Sequence, residues 1–220
     1  MQLIVTGDSS HTILNTDLNE AYHSTHGAIQ ESRHVFIDTG FRHVKATAET
    51  IKVLEIGFGT GLNALLTLVE AETLGKHVWY TAVEAFPLAE EVWSELNYPP
   101  MLSSLDYSNI FGKLHLAVWG KTEGISNFFR IHKIHIKLED YSPEPGQFDL
   151  VYFDAFSPAS QPELWTTEIF MKLIRAMKPG AVLTTYSVKG DVVRSLKAAG
   201  FITEKIPGPP GKRQITRAVK

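Results

Sequence analysis

The sequence predicts an α/β fold in which a mostly parallel sheet is covered by helices on both faces. Short apolar segments typical of buried strands alternate with segments whose apolar residues recur every three or four positions. Residues 51–56 and 62–74 are the clearest such strand and helix, and a glycine-rich turn joins them. The 220 residues are enough for one domain of this class with a small extension.

The first half of the chain supports this fold element by element. A polar turn separates two alternating segments, which predicts a hairpin of residues 2–5 and 11–15. Residues 17–36 are polar and are predicted to be partly helical. After residue 50 the pattern becomes regular. Strands are predicted at 51–56, 77–83, 114–119, 126–131 and 134–138, and helices at 62–74 and 87–96.

The second half begins with a fully apolar strand, residues 148–153. Ser160 and Glu163 form a capping box that predicts the start of the next helix, and Lys178-Pro179-Gly180 ends it. A strand at 181–186, a helix at 190–199 and strands at 201–206 and 214–219 complete the chain. Because a short connection joins the last two strands, they should be antiparallel to each other.

We expect two parts: an N-terminal hairpin and helical lid (residues 1–50) and a ligand-binding domain (51–220) with a small β insertion near 120–138. The absence of cysteine excludes a disulfide scaffold, a cysteine-based zinc or iron–sulfur site and a cysteine nucleophile. No apolar run approaches the roughly 20 residues that span a bilayer, and no signal peptide is evident. The expected location is cytoplasmic. The net charge of −3 does not indicate a DNA-coating protein, although a local basic face is compatible with it.

A nucleotide site is predicted where the strand at 51–56 meets its helix. Gly57, Gly59 and Gly61 would let a ligand lie against main-chain atoms, although a plain strand–helix turn is the alternative. The dinucleotide fingerprint requires Gly or Ala where Leu62 stands. Glu55 would disfavour a pyrophosphate and favour a cationic sulfonium. Together with Glu84, placed to accept ribose hydroxyls, this pattern favours S-adenosylmethionine over NAD.

Two further acidic residues follow strands. Asp140 is a candidate acceptor for the adenine amino group, or simply a turn residue. Asp154 follows the apolar strand and is the candidate catalytic residue, because a carboxylate there can orient an amine and take up its proton. Alternatively, Asp154 is simply a turn residue. In the loop after it, Phe156 would flank a planar base, and Ser157 and Pro158 complete the candidate substrate site.

Basic residues near the C-terminus are candidates for binding RNA phosphates. Lys212 and Arg213 end a Pro/Gly-rich connection that should lie on the same side as Asp154; a solvated turn is the alternative. The basic run from Arg130 to Lys137 is either a solvated strand face or a phosphate contact. Hydrolase-elbow, P-loop and His-Glu-x-x-His motifs are absent, and no metal is expected.

Several segments in order resemble the methyltransferase half of the bifunctional tRNA 5-methylaminomethyl-2-thiouridine biosynthesis proteins. The segments carrying the resemblance are Glu31-Ser32-Arg33-His34-Val35-Phe36, Glu55 to Asn63, Glu84-Ala85-Phe86-Pro87, Asp154-Ala155-Phe156-Ser157-Pro158, Pro162-Glu163-Leu164-Trp165 and Gly211-Lys212-Arg213. The resemblance covers the chain from about Tyr22 onward. It implies a class I S-adenosylmethionine-dependent methyltransferase, Rossmann-like, with an antiparallel C-terminal strand.

The resemblance also implies an activity: N-methylation of 5-aminomethyl-(2-thio)uridine at the tRNA wobble position. It adds Glu31 and Phe58 as positions near the cofactor. Because the sequence ends at Lys220, a stand-alone methyltransferase without an FAD-dependent oxidase domain is expected. Two alternatives remain: a methyl- or aminopropyltransferase acting on a free small amine, and a non-catalytic nucleotide- or tRNA-binding module. Neither DNA nor a membrane is an expected partner.

Overall fold

The structure, a computed structural model, describes residues 1–44, 49–102 and 107–220. Within these residues an eight-stranded sheet follows a three-stranded sheet built from the N-terminal segment. The strands of the small sheet are β1 (Gln2–Val5), β2 (His11–Asn15) and β3 (Glu20–Ala21). The predicted hairpin is therefore present with the expected bounds, and a third short strand extends it.

The large sheet has the order β10-β11-β9-β8-β4-β5-β7-β6. Its strands are β4 (Thr50–Ile56), β5 (His77–Glu84), β6 (Thr122–Gly124), β7 (Phe129–His135), β8 (Phe148–Phe153), β9 (Met177–Thr185), β10 (Ile202–Pro207) and β11 (Gln214–Val219). Strands β4, β5, β7, β8 and β9 are parallel, while β11 is antiparallel to both of its neighbours. The predicted mostly parallel sheet with an antiparallel C-terminal strand is confirmed.

Helices cover both faces of this sheet. They are α1 (Ala28–Ser32), α2 (Leu62–Leu74), α3 (Glu90–Trp93), α4 (Tyr98–Leu102), α5 (Ser108–Leu116), α6 (Thr167–Ala176) and α7 (Gly190–Ala198), with a π-helical turn at Arg33–Asp38 and 3-10 turns at Phe41–His43 and Pro162–Trp165. One core lies between the sheet and α2, α5 and the N-terminal segment, and the other between the sheet and α6 and α7. Among the described residues, no helix combines the length and apolar character needed to cross a membrane.

The N-terminal segment shares a core with the large sheet. Phe36 is buried against Tyr152 of β8, with ring centroids 5.1 Å apart, and Ile13 belongs to the same cluster. The predicted boundary at residue 50 follows residues 45–48, which lie outside the described part of the chain. The division into a lid and a domain stays a prediction.

Four predicted elements in the middle of the chain differ in the structure. The structure has no strand at 114–119: residues 114–116 are the end of α5, in which Phe111 and Leu114 are buried together at helical spacing, and residues 117–119 follow the helix. The helix at 87–96 is reduced to the single turn of α3. The strands at 126–131 and 134–138 are one strand, β7, which pairs in parallel with β5 and so belongs to the main sheet rather than to an insertion. Alternation in sequence cannot reveal this pairing, because it depends on a distant partner.

The predicted capping box is also wrong. Helix α6 begins at Thr167, and the Thr166 side chain accepts the hydrogen bond from the Ile169 N–H. The Ser160 hydroxyl instead donates to Glu20 of β3. A contact across 140 positions has therefore replaced the local one that the sequence pattern predicts.

Candidate active site

A cavity of about 560 Å³ opens at the carboxyl ends of β4, β5 and β8. Its size lies within the range common for small-molecule sites, and its position is that at which open α/β sheets bind ligands. Glycines 57 and 59, Glu84 and Asp154 all line it, together with residues of the N-terminal segment such as Tyr22. The fold thus brings together the ends of three strands that the sequence predicted to meet.

The glycine loop, residues 57–61, requires its glycines for backbone reasons. Gly57, Gly59 and Gly61 have φ of 86°, 49° and 72°, in the left-handed region that favours glycine. A Cβ at Gly57 would lie 2.7 Å from the Asp154 carbonyl oxygen, and one at Gly59 would lie 3.0 Å from the Tyr22 ring. Gly61 caps α2 and lies outside the cavity lining. The glycine loop therefore packs closely against the segments that contain Asp154 and Tyr22.

Glu84, at the end of β5, faces the cavity and ties the glycine loop in place. Its Oε2 accepts a hydrogen bond from the Gly59 N–H at 2.9 Å, and its Oε1 accepts one from the Phe86 N–H at 2.7 Å. Phe58 also lines the cavity and is buried. Both residues line the cavity, and their contacts with the cofactor stay a prediction.

Besides Gly61, two predicted cofactor residues lie outside the cavity lining. Glu55 is completely buried below the loop, is absent from the cavity lining, and neither carboxylate oxygen has a hydrogen-bond partner among the described residues. Burial raises the pKa of Glu55 well above its usual value, and the nearby Asp154 carboxylate adds to this. Burial thus favours the uncharged form of Glu55, and the side chain lies outside the cavity lining; both observations argue against the prediction that its charge attracts a sulfonium.

Asp140 is exposed in the turn after β7 and is not part of the lining; Ile136 and Leu138 of that segment line the cavity instead. These apolar side chains suit one face of a flat ring. The strand preceding Asp140 ends three residues earlier than the sequence indicates, and the turn directs this side chain to solvent.

Asp154 lies at the base of the cavity, where β8 ends. Its Oδ2 accepts a hydrogen bond of 2.8 Å from the Asn63 side chain, which projects from the first turn of α2. Burial raises the pKa of Asp154 to about 7, while the Asn63 hydrogen bond opposes this rise. A carboxylate with this pKa can accept or release a proton near neutral pH. Asn63 was not among the predicted site residues, although it follows the glycine loop closely.

The residues after Asp154, here called the Asp154 loop (residues 154–160), are anchored at several points. The Trp165 indole N–H donates to the Phe156 carbonyl at 2.9 Å, and the Tyr186 hydroxyl donates to the Ala155 carbonyl at 2.9 Å. Glu20 binds Ser157 on the opposite side. Phe156 lines the cavity, with the Tyr22 ring edge-on at 4.9 Å. Ser157 and Pro158 are outside the lining and support the loop.

Lys212 and Arg213 have different surroundings. Lys212 lines the cavity, where its Nζ lies 2.5 Å from a Glu31 oxygen and 4.1 Å from the Tyr186 ring centroid. Glu31 is buried and also accepts a hydrogen bond from the Ser24 N–H at 2.6 Å. Arg213 is exposed and does not line the cavity. Lys212 therefore lies in the cavity rather than at its outer rim, and the rim position of Arg213 stays a prediction.

Acidic side chains dominate the cavity. Among the described residues that line it, six carry carboxylates and one carries a side-chain ammonium: Asp17, Glu20, Glu31, Glu84, Asp154 and Glu163, and Lys212. His23 also lines it, and burial lowers the pKa of this imidazole to about 4, so it is neutral near pH 7. The charge balance favours a cationic ligand and disfavours a phosphate. No group of three or more possible metal ligands occurs among the described residues.

Comparison with known proteins agrees with this site. A family model described as S-adenosyl-L-methionine-dependent methyltransferase matches residues 127–220. The tRNA 5-methylaminomethyl-2-thiouridine biosynthesis bifunctional protein MnmC of Pseudomonas fluorescens is 32% identical over 212 residues, covering 90% of this chain and 32% of that protein. The chain thus spans about a third of the length of the curated relatives it matches. The crystal structure of MNMC2 from Aquifex aeolicus superposes with a TM-score of 0.81 at 26% identity, covering 99% of this chain and 69% of that one.

The chain has the class I S-adenosylmethionine-dependent methyltransferase fold. The predicted resemblance and S-adenosylmethionine as the cofactor are likewise confirmed. Spermidine synthase from Thermotoga maritima, at a TM-score of 0.57 and 16% identity over 96% of this chain and 68% of that one, shares the methyltransferase fold. At that identity it supports the fold alone.

Proposed function

We propose that this methyltransferase N-methylates the primary amine of 5-aminomethyl-(2-thio)uridine at the wobble position of tRNA. The observation that carries the proposal is Asp154: a carboxylate held by Asn63, with a pKa near 7, inside an acidic cavity beside the glycine loop. The relatives, which are named for the biosynthesis of 5-methylaminomethyl-2-thiouridine in tRNA, supply the nature of the amine. On this proposal the relevant partner is tRNA, and the place of action is the cytoplasm.

The glycine loop and Glu84 fit S-adenosylmethionine. Main-chain atoms of Gly57 and Gly59 are accessible from the cavity, and the carboxylate of Glu84 at the end of β5 suits a pair of ribose hydroxyls. The apolar side chains of Ile136 and Leu138 suit the adenine ring. When bound, the cofactor supplies an electrophilic methyl group on sulfur. The acidic lining, including Glu31, favours its cationic part.

Asp154 orients the substrate amine and accepts a proton from it. An alkylamine is largely protonated near pH 7, and only its neutral form has a lone pair for the methyl carbon. With Oδ2 held by Asn63, the Asp154 carboxylate orients the N–H bonds and accepts a proton. The new N–C bond forms as the carbon–sulfur bond breaks. The product, a secondary ammonium, keeps one positive charge near pH 7, and Asp154 releases the proton it accepted to solvent.

The Asp154 loop and its neighbours hold the base. Phe156, braced by Tyr22, is suited to stack on the uracil ring, while Ser157 and Pro158 fix the loop's shape. Arg213 is exposed on the β10–β11 connection and is suited to a backbone phosphate. Lys212 is paired with Glu31, so its proposed role is in the cavity. Residues 1–50 act as the lid on this proposal.

Incubation with labelled S-adenosylmethionine tests the proposal. One arm contains tRNA that carries aminomethyluridine, and the other contains putrescine or spermidine, the free amines that the same acidic cavity would also suit. We expect label in methylaminomethyluridine after nuclease digestion and mass spectrometry, and none with Asp154→Asn. Label in the polyamine alone would favour the small-amine transferase, and cofactor binding without turnover would favour a binding module.

A further inference from the structure

Part of one face of the large sheet, over β5 and β7, has no covering helix in the described part of the chain. Residues 136–147, which connect β7 to β8, form turns but no helix, whereas α2 and α6 lie in the connections β4–β5 and β8–β9. On this face the Trp79 ring of β5 is 50% exposed, although Val78 and Tyr80, which point to the opposite face, are buried. A large aromatic residue half exposed on an interior strand of a sheet needs an explanation.

Basic side chains flank this ring on both neighbouring strands. The register pairs Trp79 with Lys52 of β4 and with Arg130 of β7, so the three side chains form one row. The Lys52 Nζ lies 5.3 Å from the Trp79 ring centroid. We call Lys52, Trp79 and Arg130 the β5–β7 platform.

The platform has few competing charges. Asp149, next in the row, forms an ion pair with Lys178 at 2.7 Å. It also accepts a hydrogen bond from the backbone N–H of Lys52 at 2.9 Å. Within the described residues, neither Lys52 nor Arg130 forms an ion pair. Both cations therefore remain available for an external anion.

The charge of the cavity explains why an RNA substrate would need this surface. The six carboxylates in the cavity lining repel a phosphate backbone, and the chain as a whole has a net charge of −3. An RNA that inserts its amine there must be held by cations elsewhere. An indole flanked by Lys and Arg is the combination that binds unpaired nucleotides, since the base stacks and the cations contact phosphate.

The distance to the cavity is compatible with one continuous strand of RNA. Trp79 precedes Glu84 by five positions in β5, or about 17 Å at roughly 3.3 Å per residue. Stacked nucleotides spaced about 3.4 Å apart cover that distance in about five steps. We propose that the β5–β7 platform binds an unpaired nucleotide of the RNA substrate, a few nucleotides from the one that is methylated. This inference rests on the proposed function.

The first experiment measures RNA binding directly, without catalysis. A fluorescent unmodified tRNA anticodon stem-loop is titrated with wild type, Trp79→Ala, Trp79→Phe and Arg130→Glu. We expect Trp79→Ala to weaken binding about ten-fold, because one base–aromatic stack is lost, and Trp79→Phe to retain most of it. Arg130→Glu should weaken binding similarly and reduce its salt dependence. Lys197→Glu, the same change of charge at an exposed position on α7, is the matched control and should bind like wild type.

The second experiment compares substrates of different size. Trp79→Ala should raise the KM for tRNA while leaving the methylation of free 5-aminomethyluridine unchanged, because a nucleoside cannot reach the platform. Unchanged S-adenosylmethionine binding shows that each variant is folded. If wild type methylates neither substrate, the proposed function fails, and the titration still tests the platform. Unchanged stem-loop binding by Trp79→Ala would overturn the proposal that the platform binds RNA. A Trp79→Ala variant that binds RNA normally but loses self-association on ultracentrifugation would also overturn it, and would assign the face to a second copy of the chain.

Discussion

The carboxylate of Glu20 accepts hydrogen bonds from the backbone N–H and the hydroxyl of Ser157, a residue 137 positions further along the chain. The Ser160 hydroxyl donates to the same carboxylate. A short N-terminal strand thereby holds the Asp154 loop against the cavity, and the sequence around Glu20 carries no pattern that indicates this role.

Replacing Glu20 by Ala should loosen the Asp154 loop. Hydrogen bonds to a charged group contribute roughly 1.5–3 kcal/mol, so we expect kcat/KM for tRNA to fall by about ten-fold or more. S-Adenosylmethionine affinity should change much less. Steady-state kinetics and calorimetry check this, with Glu163→Ala as the control, since that change removes another carboxylate of the cavity lining. Equal losses of kcat/KM in the Glu20→Ala and Glu163→Ala variants would show that only the charge of the cavity matters.

Glu84→Ala should weaken S-adenosylmethionine binding by about ten- to a hundred-fold. The variant loses the acceptor proposed for the ribose hydroxyls and also the hydrogen bond that Gly59 donates. Isothermal titration calorimetry provides the affinity. NAD should give no measurable heat with the wild type, and tight binding of NAD would contradict the assignment of this site.

Asp154→Asn should lower kcat by about a hundred-fold or more, because the positioned proton acceptor is lost. With its pKa near 7, Asp154 should also give kcat/KM an acid limb in that region, which the variant lacks. A normal rate in the variant at neutral pH would reduce Asp154 to a structural turn residue.

The raised pKa of Asp154 predicts that the stability of the protein depends on pH. Because folding raises the pKa of Asp154 from about 3.8 to about 7, ionising it costs stability in the folded state. That cost is absent below about pH 4 and develops as the pH rises to about 7. Asp154→Asn should therefore melt at a higher temperature than wild type at pH 8, and the difference should vanish near pH 4. Thermal melts at several pH values measure this.

Glu55→Gln should leave S-adenosylmethionine affinity within about three-fold of wild type. Glu55 is buried, which favours its uncharged form, and Gln has nearly the same shape as a protonated Glu. Calorimetry across pH 6–8 checks this. A loss of a hundred-fold would mean that a Glu55 charge does act on the cofactor.

Substitutions of Lys212 and Arg213 should have different effects on tRNA kinetics and on cofactor binding. Arg213→Glu should raise the tRNA KM and flatten its salt dependence, with cofactor binding unchanged, because this side chain is outside the cavity. Lys212→Met should impair cofactor or amine binding, since it leaves the buried Glu31 carboxylate without its cation. tRNA kinetics over a salt series and calorimetry distinguish the two. Identical profiles would restore the simpler expectation of a shared phosphate site.

The sequence by itself determined the strands β4, β5 and β8, the helix α2 and the candidate site at their ends. These features are local: apolar runs, helical spacing and glycines that the backbone requires are all readable within about twenty residues. Because the carboxyl ends of parallel strands meet at one edge, the sequence alone predicts that Gly57, Glu84 and Asp154 lie together. Glycine spacing likewise favours S-adenosylmethionine over a dinucleotide.

Only the tertiary structure decided what depends on distant partners. The fold buries Glu55, which raises its pKa and favours its uncharged form, and Lys212 lies in the cavity because Glu31 and Tyr186 hold it there. The place of β7 within the sheet follows from its pairing with β5, and the role of Ser160 from its contact with Glu20. Burial and long-range pairing are set by the whole chain, so residue type and spacing do not encode them locally.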